Sequence, residues 1–234
     1  VVKHWHKRGL SIDGTSEYLD LIGKLSPNRV SIYRRKKGFW DGKVEMCNAF
    51  IPNLPDSCII WQVDVDELWN LSSIAQMLKM FEDNPEKMGA FVYCYYFVGP
   101  KKFVSSFNTW ATNPEDWIRV FRFQKGFKWR RHEPPTLVDD KGIDWPRERA
   151  FTRDQTLEMG ITFQHFAYSV PPQVLFKETY YGYKDALKLW KSLQKARGEV
   201  EVKDFLPWSK AGAIAEDWTE EKNGRLLFPG DWMI

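Results

Sequence analysis

The chain has 234 residues, a formal net charge of +3, 43% hydrophobic and 28% charged residues. That length suits one domain with a proper core, and so small a charge does not point to nucleic acid. No apolar run approaches the length of a membrane span, and the start does not resemble a signal peptide. Cys47, Cys58 and Cys94 are odd in number and lack any C-x-x-C spacing. They argue against a disulfide framework or zinc knuckle and fit a reducing, cytoplasmic setting. Aromatic content is high at 16%, with 12 Trp, and such rings fill cores or stack on sugars and bases.

Taken in order, Ser11 to Thr15 is a turn rich in helix-capping residues, and Tyr18, Leu19, Ile22 and Leu25 follow at helical spacing until Pro27. Val30 and Ile32 alternate as in a short strand over 29–33, and 43–50 reads as a helix bearing Val44, Cys47 and Phe50 on one side. The run 59–65 reads as a strand. Leu68, Leu71, Ile74, Leu78 and Phe81 trace the apolar stripe of a helix that ends before Asn84-Pro85. Strands are expected at 90–98, 117–123 and 162–168, a polar loop at 139–149, and one long helix over 173–197. Strands and helices alternate, so an α/β domain with a largely parallel sheet is expected. No repeat or linker divides 1–234, which reads as a single domain. A chain that opens on Val1 and ends on Trp232-Met233-Ile234 also reads as a fragment of something longer.

Three carboxylates, Asp64, Asp66 and Glu67, stand directly behind the core run Ile59-Ile60-Trp61. If the strand stays extended, Ile60, Gln62, Asp64 and Asp66 share one face. Two such aspartates repel unless a cation compensates them, and oxygen-rich ligation suits magnesium or manganese. A bland reading stands beside it, in which Asp64 caps the next helix and Glu67 lies in its first turn.

The "DVDE" segment resembles the metal-binding D-x-D motif of GT-A glycosyltransferases, in particular family 2-like members with "DADE" after a hydrophobic strand. Ser11-Ile12-Asp13-Gly14-Thr15 is similar to their "S-T-D-G-T" loop, and Gly42 to Ala49 to the helix that brings a basic residue and an Asn toward the nucleotide. Arg119-Val120-Phe121-Arg122 with Arg131-His132-Glu133 resembles their "R-x-F-R … H-E" pattern. The resemblance covers roughly residues 1 to 185. It departs in that too few residues precede Asp13 to build the family's first strand, so the chain is truncated or its donor site incomplete, and in that Ile12 replaces a hydroxyl residue.

The resemblance implies a GT-A fold and a hexosyltransferase-like enzyme, inverting, with a nucleotide-diphosphate sugar as donor and a carbohydrate or other hydroxyl as acceptor. It implies manganese or magnesium on Asp66 and Asp64 with a late histidine, His165, and donor contacts from Asp13, Lys43 and Asp64. Glu133 is the first candidate for the base and Asp116 the second; Lys177 is placed near the diphosphate. Trp110, Trp117, Trp129 and Trp145 fall in the acceptor region, where each is either a sugar platform or core. Two other readings stay open: a catalytically silent module of the same fold that binds carbohydrate or protein, and a nucleotidyltransferase.

Overall fold

Apolar spacing and stop signals place most of the helices. The computed structural model describes residues 6–7, 10–35, 39–106, 110, 113, 115 and 117–227. The strand pair β1 (His6–Lys7) and β2 (Leu10–Ser11) leads into α1 (Thr15–Leu25). The strand expected at 29–33 does not form. Arg34 instead donates to Asp20 at 2.6 Å and to the Ser16 carbonyl at 2.8 Å, holding this segment along α1.

After α2 (Gly42–Asn48), β3 (Ser57–Trp61) gives way to a turn, β4 (Glu67–Trp69) and α3 (Leu71–Asp83). Asn70 caps α3 by accepting from the Ser73 amide at 2.6 Å, a bond of the kind worth about 1 kcal/mol. The buried face of α3 carries Ser73, Met77 and Phe81, an i, i+4, i+8 row. Leu71 and Leu78, assigned to the stripe from spacing, are exposed, and Leu68 belongs to β4.

The remaining elements run β5 (Gly89–Phe91), β6 (Tyr93–Phe97), β7 (Lys102–Val104), β8 (Ile118–Gln124), β9 (Lys128–Arg131), β10 (Thr136–Val138), α4 (Trp145–Glu148), β11 (Ala150–Phe151), α5 (Arg153–Glu158) and β12 (Thr162–His165). Then come α6 (Pro171–Tyr181), α7 (Ala186–Lys195), β13 (Val200–Glu201), β14 (Ile214–Asp217) and α8 (Glu220–Asn223). The single helix expected over 173–197 is two, because Gly182 at φ 72° closes α6 in a left-handed conformation that favours glycine.

Two main sheets result, of order β11-β5-β8-β3 and β13-β14-β7-β6-β12-β4. Class α/β holds, but both sheets are mixed. Among the described strands only β11 with β5 and β12 with β6 pair in parallel; the other pairings are antiparallel. Short returns such as β6 to β7 explain this, since antiparallel neighbours need no long crossover. One large core cluster joins Met77, Phe81, Val120, Phe163 and Trp190, and a second packs Val44 and Cys47 of α2, with Phe50 just beyond it, over Ile60, Phe121 and Trp129. The acidic stretch therefore sits where the chain leaves one sheet at β3 and enters the other at β4.

Candidate functional site

The strand that carries the acids ends earlier than alternation suggests. β3 stops at Trp61, and the Glu67 amide donates to the Asp64 carbonyl at 3.0 Å, closing a turn with Val65 at its fully exposed tip. The idea of Asp64 and Asp66 on one strand face is thereby corrected, because the turn gives each acid its own neighbour. The Phe166 amide fixes the turn by donating to the Asp66 carbonyl at 2.8 Å.

Glu67 starts β4, not a helix, and its side chain is fully buried against Arg119 of β8. The guanidinium Nε and Nη2 donate to Glu67 Oε1 at 2.9 and 2.6 Å, a forked pair, while Arg119 Nη2 lies 3.6 Å from Asp64. The Trp117 ring covers the guanidinium at 4.7 Å. Burial pushes the Glu67 carboxyl up and Arg119 opposes that push.

Asp66 turns the other way. Its Oδ1 stands 3.3 Å from His165 Nε2, and β12 places that histidine opposite Glu67 in register. His165 Nδ1 lies 4.0 Å from Glu67 Oε1 and has no hydrogen-bond partner among the described residues. Tyr96 and Trp117 meet its ring edge-on at 5.2 and 5.3 Å. Burial would raise the Asp66 carboxyl, but the hydrogen bond and charge of His165 outweigh it and hold Asp66 below the usual carboxylate range.

Both aspartates and His165 line a cleft of about 790 Å3 that also takes in Lys43, Glu133 and Lys177. Lys177, on α6, has its ammonium 4.6 Å from the Tyr168 ring centre. Burial pulls its pKa down, while Asp66 pulls it back up and Lys43 adds to the lowering. Glu133 is exposed, in the turn between β9 and β10. The adjacent His132 is half-buried and held below the usual histidine range, chiefly by burial.

Not every expected residue arrives here. Asp13 accepts from the Thr15 amide at 3.0 Å at the start of α1 and does not line the cleft. Asn48, the asparagine of the expected nucleotide-facing helix, instead bonds the Trp129 amide and carbonyl at 2.9 Å each and pins α2 to β9. Asp116 lies outside the described residues. Of the tryptophans, Trp110 and Trp117 line the cleft, Trp129 is core, and Trp145 donates to Asp139 at 2.9 Å. Sequence reasoning gave Arg119 no role of its own, although an arginine buried in an apolar strand calls for an acid to pair with it.

Comparison with protein-family models and with curated protein sequences gives no match. No described helix is long and apolar enough to cross a membrane.

Proposed function

We propose that this α/β chain has a GT-A arrangement and is a metal-dependent, inverting glycosyltransferase that moves a sugar from a nucleotide-diphosphate sugar to an acceptor hydroxyl. The observation that carries the reading is the meeting of Asp66 and His165 in a cleft shared with Asp64, Lys43, Lys177 and Glu133.

A carboxylate oxygen and an imidazole nitrogen suit manganese or magnesium. Among the described residues no group of three or more His, Cys, Asp and Glu forms a ligand set, so phosphate oxygens and water would complete the coordination of an ion held by Asp66 and His165. Glu67, fixed by Arg119, stands behind His165, with its Oε1 4.0 Å from the ring's Nδ1. Such an ion, when bound, neutralises charge that develops on the departing diphosphate.

The chain's own groups do the rest. Lys43 and Lys177 attract the phosphates, and Asp64, tied to Arg119, contacts the nucleotide side. Glu133 takes the acceptor's hydroxyl proton as its oxygen bonds to the sugar, since a carboxylate within reach of that proton acts as general base.

Incubation with nucleotide sugars and manganese is expected to release nucleoside diphosphate, and Asp66→Ala to abolish that release. Undiminished release from Asp66→Ala overturns the assignment. No metal-dependent release or donor binding in the wild type is the outcome for a silent module.

A further inference from the structure

Positive charge is concentrated in one part of the molecule. Between 175 and 197, over α6, α7 and the turn that joins them, six basic residues stand against two acids, Glu178 and Asp185. That excess of four is larger than the +3 of the whole chain, so the remainder is close to neutral.

Both helices rest on the large core, α6 through Val174 and α7 through Ala186, Trp190 and Leu193. Helical spacing therefore turns Lys188, Lys191 and Lys195 outward, an exposed row at i, i+3 and i+7 along an open groove of about 490 Å3. Among the described residues none of the three forms an ion pair. Glu178, the acid nearest the groove's wall of α6, accepts from the Leu187 amide at 3.0 Å and ties α7 to α6.

Next to this row α6 exposes apolar surface. Leu175, Phe176, Tyr180 and Tyr181 are each 42–55% exposed. Their rings belong to a file in which Phe176 stacks on Tyr180 at 5.3 Å, Tyr180 meets Tyr181 edge-on, Tyr181 stacks on Tyr183 at 5.5 Å and Tyr183 on Trp208 at 4.4 Å. Rings stacked in this way cover one another's faces and present edges and hydroxyls outward. A sugar platform needs an open ring face, whereas an apolar body with a wet edge suits the headgroup level of a bilayer.

We propose that the α6–α7 pair is a peripheral docking surface for a bilayer that carries anionic lipids. Lys188, Lys191 and Lys195 lie over the acidic headgroups, and Leu175, Phe176 and Tyr180 enter the interface beside them. The two signals act together, since lysines near an anionic leaflet supply attraction and apolar side chains supply the anchor. Phe176, Tyr180 and Tyr181 also line the cleft, so docking sets the mouth of the cleft at the lipid surface. The inference does not depend on the transferase reading.

Sedimentation of the full chain with vesicles tests it. Vesicles of equal parts phosphatidylcholine and phosphatidylserine bind the chain, raised salt releases it, and vesicles of phosphatidylcholine alone bind little. Lys188→Gln, Lys191→Gln and Lys195→Gln combined, all at exposed positions, weaken binding roughly 100-fold, and Tyr180→Ser weakens it severalfold at the same salt. In the wild type the acidic vesicles slow acetylation of Lys188, Lys191 and Lys195, mapped by mass spectrometry. They leave Lys125, just past the end of β8 away from the cleft, as before; this readout needs no variant.

No binding to either vesicle, equal binding to the two, undiminished binding by the lysine variant or unprotected lysines overturns the proposal. Binding of soluble polyglutamate through the same lysines without vesicle binding overturns it in favour of an acidic protein partner. Retention on a soluble glucan without vesicle binding overturns it in favour of a sugar platform. Vesicle binding by a chain with no metal-dependent donor binding would keep this surface and remove the transferase.

Discussion

Glu67 and Asp66 are neighbours in sequence, yet the molecule treats their charges in opposite ways. Glu67 is enclosed at the junction of the two sheets and held in a fork by Arg119, with an aromatic ring against the guanidinium. Asp66 faces the cleft beside His165, with Lys177 lining the same space at a position where burial works against its ammonium. The first pair is completed by the protein alone. The second gathers charges of both signs around open space. A cation at the junction thus serves the fold, while a cation in the cleft is held at a cost to it, and substitution separates the two.

The largest effect belongs to the enclosed pair. Arg119→Met leaves the Glu67 carboxylate buried without its counter-charge and is expected to cost about 3–5 kcal/mol, which for a chain of this length lowers Tm by roughly 6–20 °C. A melting curve within two or so degrees of wild type, by circular dichroism, would break the contrast at its structural end.

On the cleft side the effects fall on binding and turnover. Glu133→Gln is expected to lower kcat by roughly 100-fold to 10,000-fold while donor affinity and Tm stay near wild type, because Glu133 is exposed. Unchanged kcat would take the proton-accepting role away from it. Lys177→Met is expected to weaken nucleoside diphosphate binding about tenfold and to leave Tm equal or slightly higher, as removing a functional charge disfavoured by burial does. A fall in Tm comparable to that of Arg119→Met would erase the difference between the two cations.

The smallest effect is a pH dependence. Asp66 titrates below its ordinary value of 3.8 when folded, so its contribution to stability is present above that value and is lost as pH falls through the lower folded one. The stability difference between wild type and Asp66→Asn is therefore expected to be largest above about pH 5 and to shrink progressively as pH falls through 3.8 toward the lower folded value. Urea titrations at stepped pH check it, and a difference that grows as the pH falls contradicts the sign.

Local signals made α1, α2, α3 and β8 legible, because capping residues, apolar spacing and stop residues all sit within the segments themselves. Strand pairing was not. Whether β6 returns through β7 or crosses over depends on contacts far along the chain, and alternation of elements gives no direction. The same limit shaped the reading of the acids. Spacing marked Asp64, Asp66 and Glu67 as a cluster, yet period two put two of them on one face, and the turn closed by Asp64 and Glu67 separates them. His165 arrives beside Asp66 through the pairing of β12 with β4, and Glu67 finds Arg119 across a long stretch of chain.

On the proposed reading, Asp66 holds a divalent ion against the donor's diphosphate. Calorimetric titration of uridine diphosphate and guanosine diphosphate into wild type and Asp66→Asn, each with and without manganese, tests this most directly. The predicted result is binding of at least one diphosphate that needs manganese in the wild type and disappears in Asp66→Asn with the fold intact. Binding of neither diphosphate in a manganese-dependent manner, or equal manganese-dependent binding by Asp66→Asn, would contradict it.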